Sequence, residues 1–307
     1  MEMTSGLINV AVAAVWTDAA SPREIDAESL KSPVNIPAWL DALTTEQRKA
    51  LCDDKLVQTQ LLYGERVLVL DKKGEWAYVV IPEQASKKDE RGYPGWVPLA
   101  QITEVQQTEL EKREELPIVV VTAKKTTMHD AHRKPILEVS YNTILPLIKE
   151  KEDFYEVHTP DGTGFIHKKD ASVYSSFAAM QKGSGNDIVQ HAERFKDLLY
   201  LWGGMSAYGY DCSGFSYNML KANGYLIPRD ATDQAEKGQP IKKEQAAPGD
   251  LLFFAYEEGK GALHHVGIYY GDGKMIHSPT PGKKIEIQTI AGTFYEKEWC
   301  ETRRYWQ

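Results

Sequence analysis

The chain holds only three cysteines in 307 residues, Cys52, Cys212 and Cys300, and no CxxC pair. A set so sparse and odd in number excludes a disulfide framework and a thiolate zinc site. The eight histidines show no HExxH or comparable ligand spacing, so no metal or other cofactor is expected. Runs of Lys and Arg are missing too, and the net charge is −8. Nucleic acid and anionic membranes, which select basic stripes, are therefore poor partners. The longest apolar stretch, around Leu7 to Trp16, is too short to span a bilayer. It also lacks the charged start and cleavage site of a signal peptide. The expectation is a cytoplasmic protein, or an exported one whose signal is absent from this sequence.

What is present suggests several domains, because one core rarely extends over so long a chain. Two segments read as distant copies. In the first, INVAVAAVW precedes a turn, GERVLVLDKKGEWAYVVIP alternates as two strands around a glycine turn, and GYPGWVPLAQI closes the unit. In the second, LPIVVVTAKK is followed by NTILPLIKEKEDFYEVHTPDGTGFIHKKDASV, with the same punctuation. Trp76 then corresponds to Tyr155 and Trp96 to Phe165. The pattern resembles bacterial SH3-like β-barrels, predicted over 1–112 and 113–176. The first copy carries two insertions. One, at about 26–55, contains the helical PAWLDALTTEQRKAL with Thr44 or Thr45 as N-cap. The other, PEQASKKDERGYPGW, is a long polar loop of the kind that tends to be functional.

From 177 to 307 helix and strand signals alternate. Asp187 is a plausible N-cap for a helix reaching about Tyr200, and a second helix extends from Cys212 to Ala222 before Gly224. DLLFFAY, HHVGIYYGDGKMIHS and KIEIQTI then read as consecutive antiparallel strands, with Asp272-Gly273 as a hairpin turn. Helix followed by such a sheet predicts an α+β domain.

Cysteine chemistry runs through the thiolate, which a helix N-terminus favours. Cys212 opens a predicted helix directly after Asp211, and Gly203, Gly204 and Gly209 allow close backbone approach. By placement it is a candidate nucleophile, whereas Cys52 and Cys300 read as small core residues. A lone cysteine is as readily a buried apolar residue. A base has to come from elsewhere in the chain. His129, His132, His158, His167 and His191 read as solvated. His264 and His265 fall on opposite faces of a strand, so only one can face Cys212. His277, on the next strand, is placed to pair with it.

The ordered run YLWGG, YGYDCSGF, Pro-Arg, PGDLLFF and HVGIYYGDGKMIHS resembles the NlpC-type family of papain-like cell-wall peptidases over about residues 185–307. That resemblance implies a papain-like catalytic domain with Cys212 as nucleophile, His265 as base and His277 as its orienting partner. The whole arrangement, two SH3-like modules before that domain, resembles gamma-D-glutamyl-L-diamino-acid endopeptidases. It implies cleavage of muropeptides with a free N-terminal L-Ala. By the same resemblance Tyr200, Trp202, Asp211 and Ser213 line the D-Glu side, Asp230 meets the terminal ammonium, and Tyr93 reaches in from the first module. Glu65 and Gln58 both remain candidates for a further polar group. A monomer without a membrane span is expected. A secreted endopeptidase on intact peptidoglycan, and a non-catalytic wall-peptide-binding protein, are the alternatives.

Overall fold

The computed structural model describes residues 4–306. They form two compact units. The first comprises the chain up to Glu83, Arg91–Met180 and Ser206–Tyr208; the second takes Gln84–Glu90, Gln181–Met205 and the chain from Gly209 onward. Among the described residues no helix is long and apolar enough to cross a membrane.

The first unit holds two seven-stranded antiparallel sheets. Strands β1 (Thr4–Ile8), β2 (Val12–Trp16), β3 (Val57–Leu62), β4 (Arg66–Lys73), β5 (Trp76–Ile81), β6 (Tyr93–Pro98) and β7 (Ile102–Val105) make one. Strands β8 (Ile118–Val121), β9 (Lys125–His129), β10 (Pro135–Ser140), β11 (Ile144–Glu150), β12 (Phe154–Thr159), β13 (Gly162–His167) and β14 (Ala171–Tyr174) make the other. Their spatial orders, β3-β2-β6-β5-β4-β1-β7 and β10-β9-β13-β12-β11-β8-β14, are the same order shifted by seven strands. The internal repeat read in the sequence is therefore a repeat of topology.

Alternation explains each core. On β4 and β5, Val67, Val69, Ala77, Val79 and Ile81 turn inward to meet Ile8, Val15 and Val97. Val119, Val121, Val139, Leu145, Val157 and Ile166 do the same in the second sheet. Each such Val, Leu or Ile contributes roughly 1.5–3 kcal/mol on burial. The strand register corrects one correspondence. Trp76 faces Pro98 across the ladder and Phe154 faces His167, so the counterpart of Trp76 is Phe154, one residue before Tyr155. Trp96 and Phe165 each stand two residues before those partners, as the sequence suggested. His129 and His167, expected in solvent, are half-buried and flank the Phe154 ring at 5.9 and 4.7 Å.

The first insertion is helical: α1 (Ala27–Leu30), α2 (Ile36–Ala42) and α3 (Thr45–Asp53). Thr44 caps α3 in a reciprocal box with Gln47. Fully buried Asp26 ties the insertion together, accepting from Arg23 and from Trp39 Nε1 at 2.8 Å. Helix α4 (Gln107–Glu114), which the sequence reading did not separate from the first module, precedes the second sheet.

In the second unit α5 spans Gly185–Glu193 and is capped by Ser184, with Asp187 as the reciprocal partner three residues in. The cap thus lies earlier than Asp187, because the Ser184 hydroxyl accepts from the Asp187 N–H. The helix also ends before Tyr200. A two-stranded pair, β15 (Met205–Ser206) and β16 (Gly209–Tyr210), leads into α6 (Cys212–Lys221), and α7 (Ala231–Glu236) follows. The sheet is formed by β17 (Gln239–Pro240), β18 (Leu251–Ala255), β19 (Leu263–Gly271), β20 (Lys274–His277), β21 (Glu286–Thr289) and β22 (Trp299–Arg304), ordered β17-β22-β18-β19-β20-β21. Asp272 and Gly273 both take positive φ (51° and 69°), as a tight hairpin between β19 and β20 requires. The C-terminal strand β22 returns to pair with β18, a long-range pairing that no local pattern signals.

Candidate active site

Helix α6 begins at Cys212, and its N-cap Asp211 accepts the Gly214 N–H at 2.6 Å. The cap is itself a buried ionic cluster. Arg229, 1% exposed, donates through Nη2 to Asp211 Oδ2 at 2.6 Å and through Nη1 to Asp211 Oδ1 at 3.2 Å. The same Nη1 reaches Ser213 Oγ at 2.8 Å. Asp211 and Ser213 therefore hold the first turn of the helix, and with it Cys212, in one geometry.

The glycines before Cys212 serve the backbone. A Cβ on Gly204 would lie 2.3 Å from the Gly209 carbonyl oxygen, and one on Gly214 would lie 2.1 Å from that of Gly204. Only chain segments without side chains can stack this closely against the first turn of α6.

Strand β19 packs on α6 and carries both neighbouring histidines. Alternation separates them. His264 stacks on Tyr256 at 4.1 Å and meets Glu298 at 3.1 Å. His265, 3% exposed, turns to the other face, where its Nε2 lies 2.7 Å from Nδ1 of His277. His277 is fully buried, and its own Nε2 lies 3.1 Å from Gln288 Oε1 on β21. Gly267 makes this meeting possible. A Cβ there would come within 2.9 Å of Met275 Sδ and 3.3 Å of His277 Cβ. Phe254 and Tyr295 wall the pair, with ring centroids 5.8 and 5.5 Å from His265.

The backbone N–H of Val266, the residue after His265, and that of Ser213 both favour the anion of the Cys212 thiol. Burial, reinforced by the Asp211 carboxylate, pushes this thiol up to about 12 against the pull of those N–H groups and Arg229. Burial, with His277 and His264 adding to it, holds His265 well below the usual imidazole range. Taken group by group, burial opposes ionisation of the thiol and protonation of the imidazole. Desolvation therefore acts at the sulfur against the anion that the helix N-terminus favours.

The other expected residues are distributed as follows. Tyr200 is buried just before this loop, its N–H bonded to the Lys283 carbonyl at 2.9 Å, and Trp202 is half-buried two residues on. Asp230 is the N-cap position of α7 and pairs with Lys88 Nζ at 3.2 Å. Tyr93 belongs to the first unit, where it is buried and donates to Gln58 Oε1 at 3.3 Å. Glu65 accepts the Leu62 N–H at 2.8 Å in its own turn. Cys52 is partly exposed and Cys300 exposed, so neither is the core residue expected. Among the described residues no group of three or more His, Cys, Asp or Glu is placed to hold a metal ion.

A model of the NlpC/P60 family matches residues 197–304. The YKFC SH3b2 domain matches 121–174, and the bacterial dipeptidyl-peptidase Sh3 domain matches 52–102. The gamma-D-glutamyl-L-lysine dipeptidyl-peptidase of Bacillus subtilis (strain 168) is 46% identical over 96% of both chains. This chain belongs to the NlpC/P60 family of cysteine peptidases. The protein of the same name from Bacillus cereus (strain ATCC 10987 / NRS 248) is 37% identical over 98% of this chain and 91% of that one. The crystal structure of an NlpC/P60 family protein from Bacillus cereus ATCC 10987 shares 36% identity and a TM-score of 0.94, over 99% of this chain and all of that one.

As an NlpC/P60 protein the chain shows three residues that sequence reading passed over. Arg229 was visible only as the Arg of Pro-Arg, with nothing to say that it neutralises Asp211. Gln288 lies two residues after Glu286 in KIEIQTI, and the period-two spacing that puts both on one face was the available signal. Lys88 comes from the long polar loop, whose segment Gln84–Glu90 packs with the second unit. There the Lys87 N–H donates to Asp233 at 3.0 Å and the Ala85 carbonyl accepts the Arg229 N–H at 3.0 Å.

Proposed function

We propose that the protein hydrolyses the amide between the γ-carboxyl of D-Glu and the α-amine of the diamino acid in murein peptides. It releases L-Ala-γ-D-Glu from peptides with a free N-terminal L-Ala. The supporting observation is the near full-length similarity to gamma-D-glutamyl-L-lysine dipeptidyl-peptidases, joined to a cysteine opening a helix that packs on the strand of a buried histidine pair.

In this reading Cys212 is the nucleophile and His265 the base. His265 Nε2 is engaged by His277, which leaves Nδ1 for the sulfur. Substrate binding brings the neutral pair to reaction. The thiol proton moves to Nδ1, the sulfur attacks the γ-carbonyl carbon, and the imidazolium returns the proton to the departing amine. Water, deprotonated by His265, then cleaves the thioester. The Cys212 N–H at the start of α6 is aimed for the oxyanion. Asp230 takes the substrate ammonium; its carboxylate already holds a cation, Lys88, which supports that assignment. Tyr200, Trp202, Asp211 and Ser213 are assigned to the D-Glu side, and Tyr93 to substrate binding, by the family resemblance. The division 1–112, 113–176 and 177–307, with each seven-stranded sheet coiling into an SH3-like barrel, accompanies this reading.

The test is mass spectrometry of products from L-Ala-γ-D-Glu-L-Lys, its diaminopimelate analogue, the N-acetylated peptide and whole sacculi. Release of L-Ala-γ-D-Glu from the free peptides, lost in Cys212→Ala, is expected. Cleavage of sacculi or the acetylated peptide but not the free peptides would overturn the substrate assignment.

A further inference from the structure

A histidine acts as a base only through a nitrogen that carries no proton, and the nitrogen left bare is decided by what the other one bonds to. His265 and His277 form a chain in which neither ring, alone, fixes that choice. Nε2 of His265 and Nδ1 of His277 are 2.7 Å apart, so one donates and the other accepts, in either sense. The chain ends at Gln288, whose Oε1 lies 3.1 Å from His277 Nε2. A carbonyl oxygen only accepts. His277 must therefore carry its proton on Nε2, which leaves Nδ1 as an acceptor for the Nε2–H of His265. His265 is then unprotonated at Nδ1.

We propose that Gln288 is a positioning residue that sets the tautomers of His277 and, through it, of His265. With a donor at its place the sequence of bonds would run backwards. His277 would carry its proton on Nδ1, and His265 would carry one on the nitrogen that has to receive the thiol proton. Sheet geometry explains why this residue holds the position. Glu286 pairs with His277 across the β20–β21 ladder, and Gln288 follows two residues along, so the three share a face. Glu286 is the competing acceptor, but its Oε1 is 3.9 Å away and its side chain is half in water. Gln288 is the nearer acceptor and is uncharged. It fixes the proton on Nε2 without adding a carboxylate that would hold the buried ring as an imidazolium.

The inference rests on His265 as base for its catalytic consequence, but the tautomers are readable without turnover. In 15N-labelled protein at neutral pH, two-bond 1H–15N correlations should show both rings protonated on Nε2 alone. Gln288→Leu removes one hydrogen bond, which is a preference of roughly fivefold. It should give mixed tautomers at both rings and lower kcat about two- to tenfold with KM little changed. Gln288→Glu, a carboxylate in the same place, should instead protonate His277 on both nitrogens, whereas Glu286→Gln should leave the single tautomer as in the parent. Unmixed tautomers in Gln288→Leu, or mixed ones in Glu286→Gln, would overturn the proposal. Should His265→Ala retain full turnover while Gln288→Leu still mixes the tautomers, the assignment of the base fails and that of Gln288 stands.

Discussion

Replacing Arg229 by Met should destabilise the protein by about 3–5 kcal/mol, the cost of leaving a buried charge without its partner. The figure follows from the surroundings of Asp211. That carboxylate is 5% exposed and, among the described residues, is paired with a guanidinium bound to both of its oxygens at 2.6 and 3.2 Å. Met fills similar space, so packing loss is secondary and the change isolates the charge. The loss would consume a large share of the ~5–15 kcal/mol that holds an ordinary domain together. Urea denaturation of the full chain reads it directly. The partner experiment is Asp211→Asn in the Arg229→Met background. Asn caps a helix about as well as Asp and carries no charge, so the double variant should regain more than 2 kcal/mol of the loss. A consequence appears at the sulfur. Arg229 pulls the Cys212 thiol down and Asp211 pushes it up, so removing the arginine makes the thiol harder to ionise. Iodoacetamide should then modify Cys212 more slowly at any fixed pH. Arg229→Met within 1 kcal/mol of the parent, or a double variant no more stable than the single one, would show that the pair does not hold the start of α6 as argued here.

Two further outcomes concern pH. His277 is fully buried and burial lowers it to about 4 from 6.5. Because the folded value lies below the unfolded one, its contribution is present above pH 6.5 and is lost as pH falls toward 4. The loss is on the order of 3 kcal/mol. His277→Asn should flatten stability between those limits, and an unchanged slope would refute the assignment. For Cys212, alkylation by iodoacetamide in the free protein should keep rising with pH above 8. A plateau already reached below pH 7 would mean that a thiolate–imidazolium pair exists before substrate binds.

How far the sequence discloses this protein depends on how local each determinant is. The repeat was legible because alternation and turns are local: Val67, Val69, Ala77 and Val79 announce their face by spacing alone. Cys212 was legible as the first residue of a helix, because Asp211 and the glycines before it stand beside it in the chain. His265 was not separable from His264 by pattern; family resemblance chose it, and the sheet shows the difference, one ring going to Glu298 and the other to His277. What stayed hidden is the set of partners that arrive from far away. Arg229 meets Asp211 across 18 residues and Trp299 meets Phe254 across 45, by pairings that depend on the finished fold.

The missed determinants also share a physical character. Spacing predicts where a side chain points, but whether a buried ionisable group is charged depends on everything that surrounds it. The helix N-terminus at Cys212 favours a thiolate, whereas burial and the Asp211 carboxylate act against it. The same holds for His265, whose proton position is decided two side chains away at Gln288. Burial at such a site opposes charge on either reacting group taken alone. Asp211 and Arg229 form a buried ion pair that stabilises the scaffold, while burial acts against charge on the sulfur and on the imidazole. Proton transfer between them then needs no permanently buried ion pair at the reaction centre, where desolvation would cost several kcal/mol per charge.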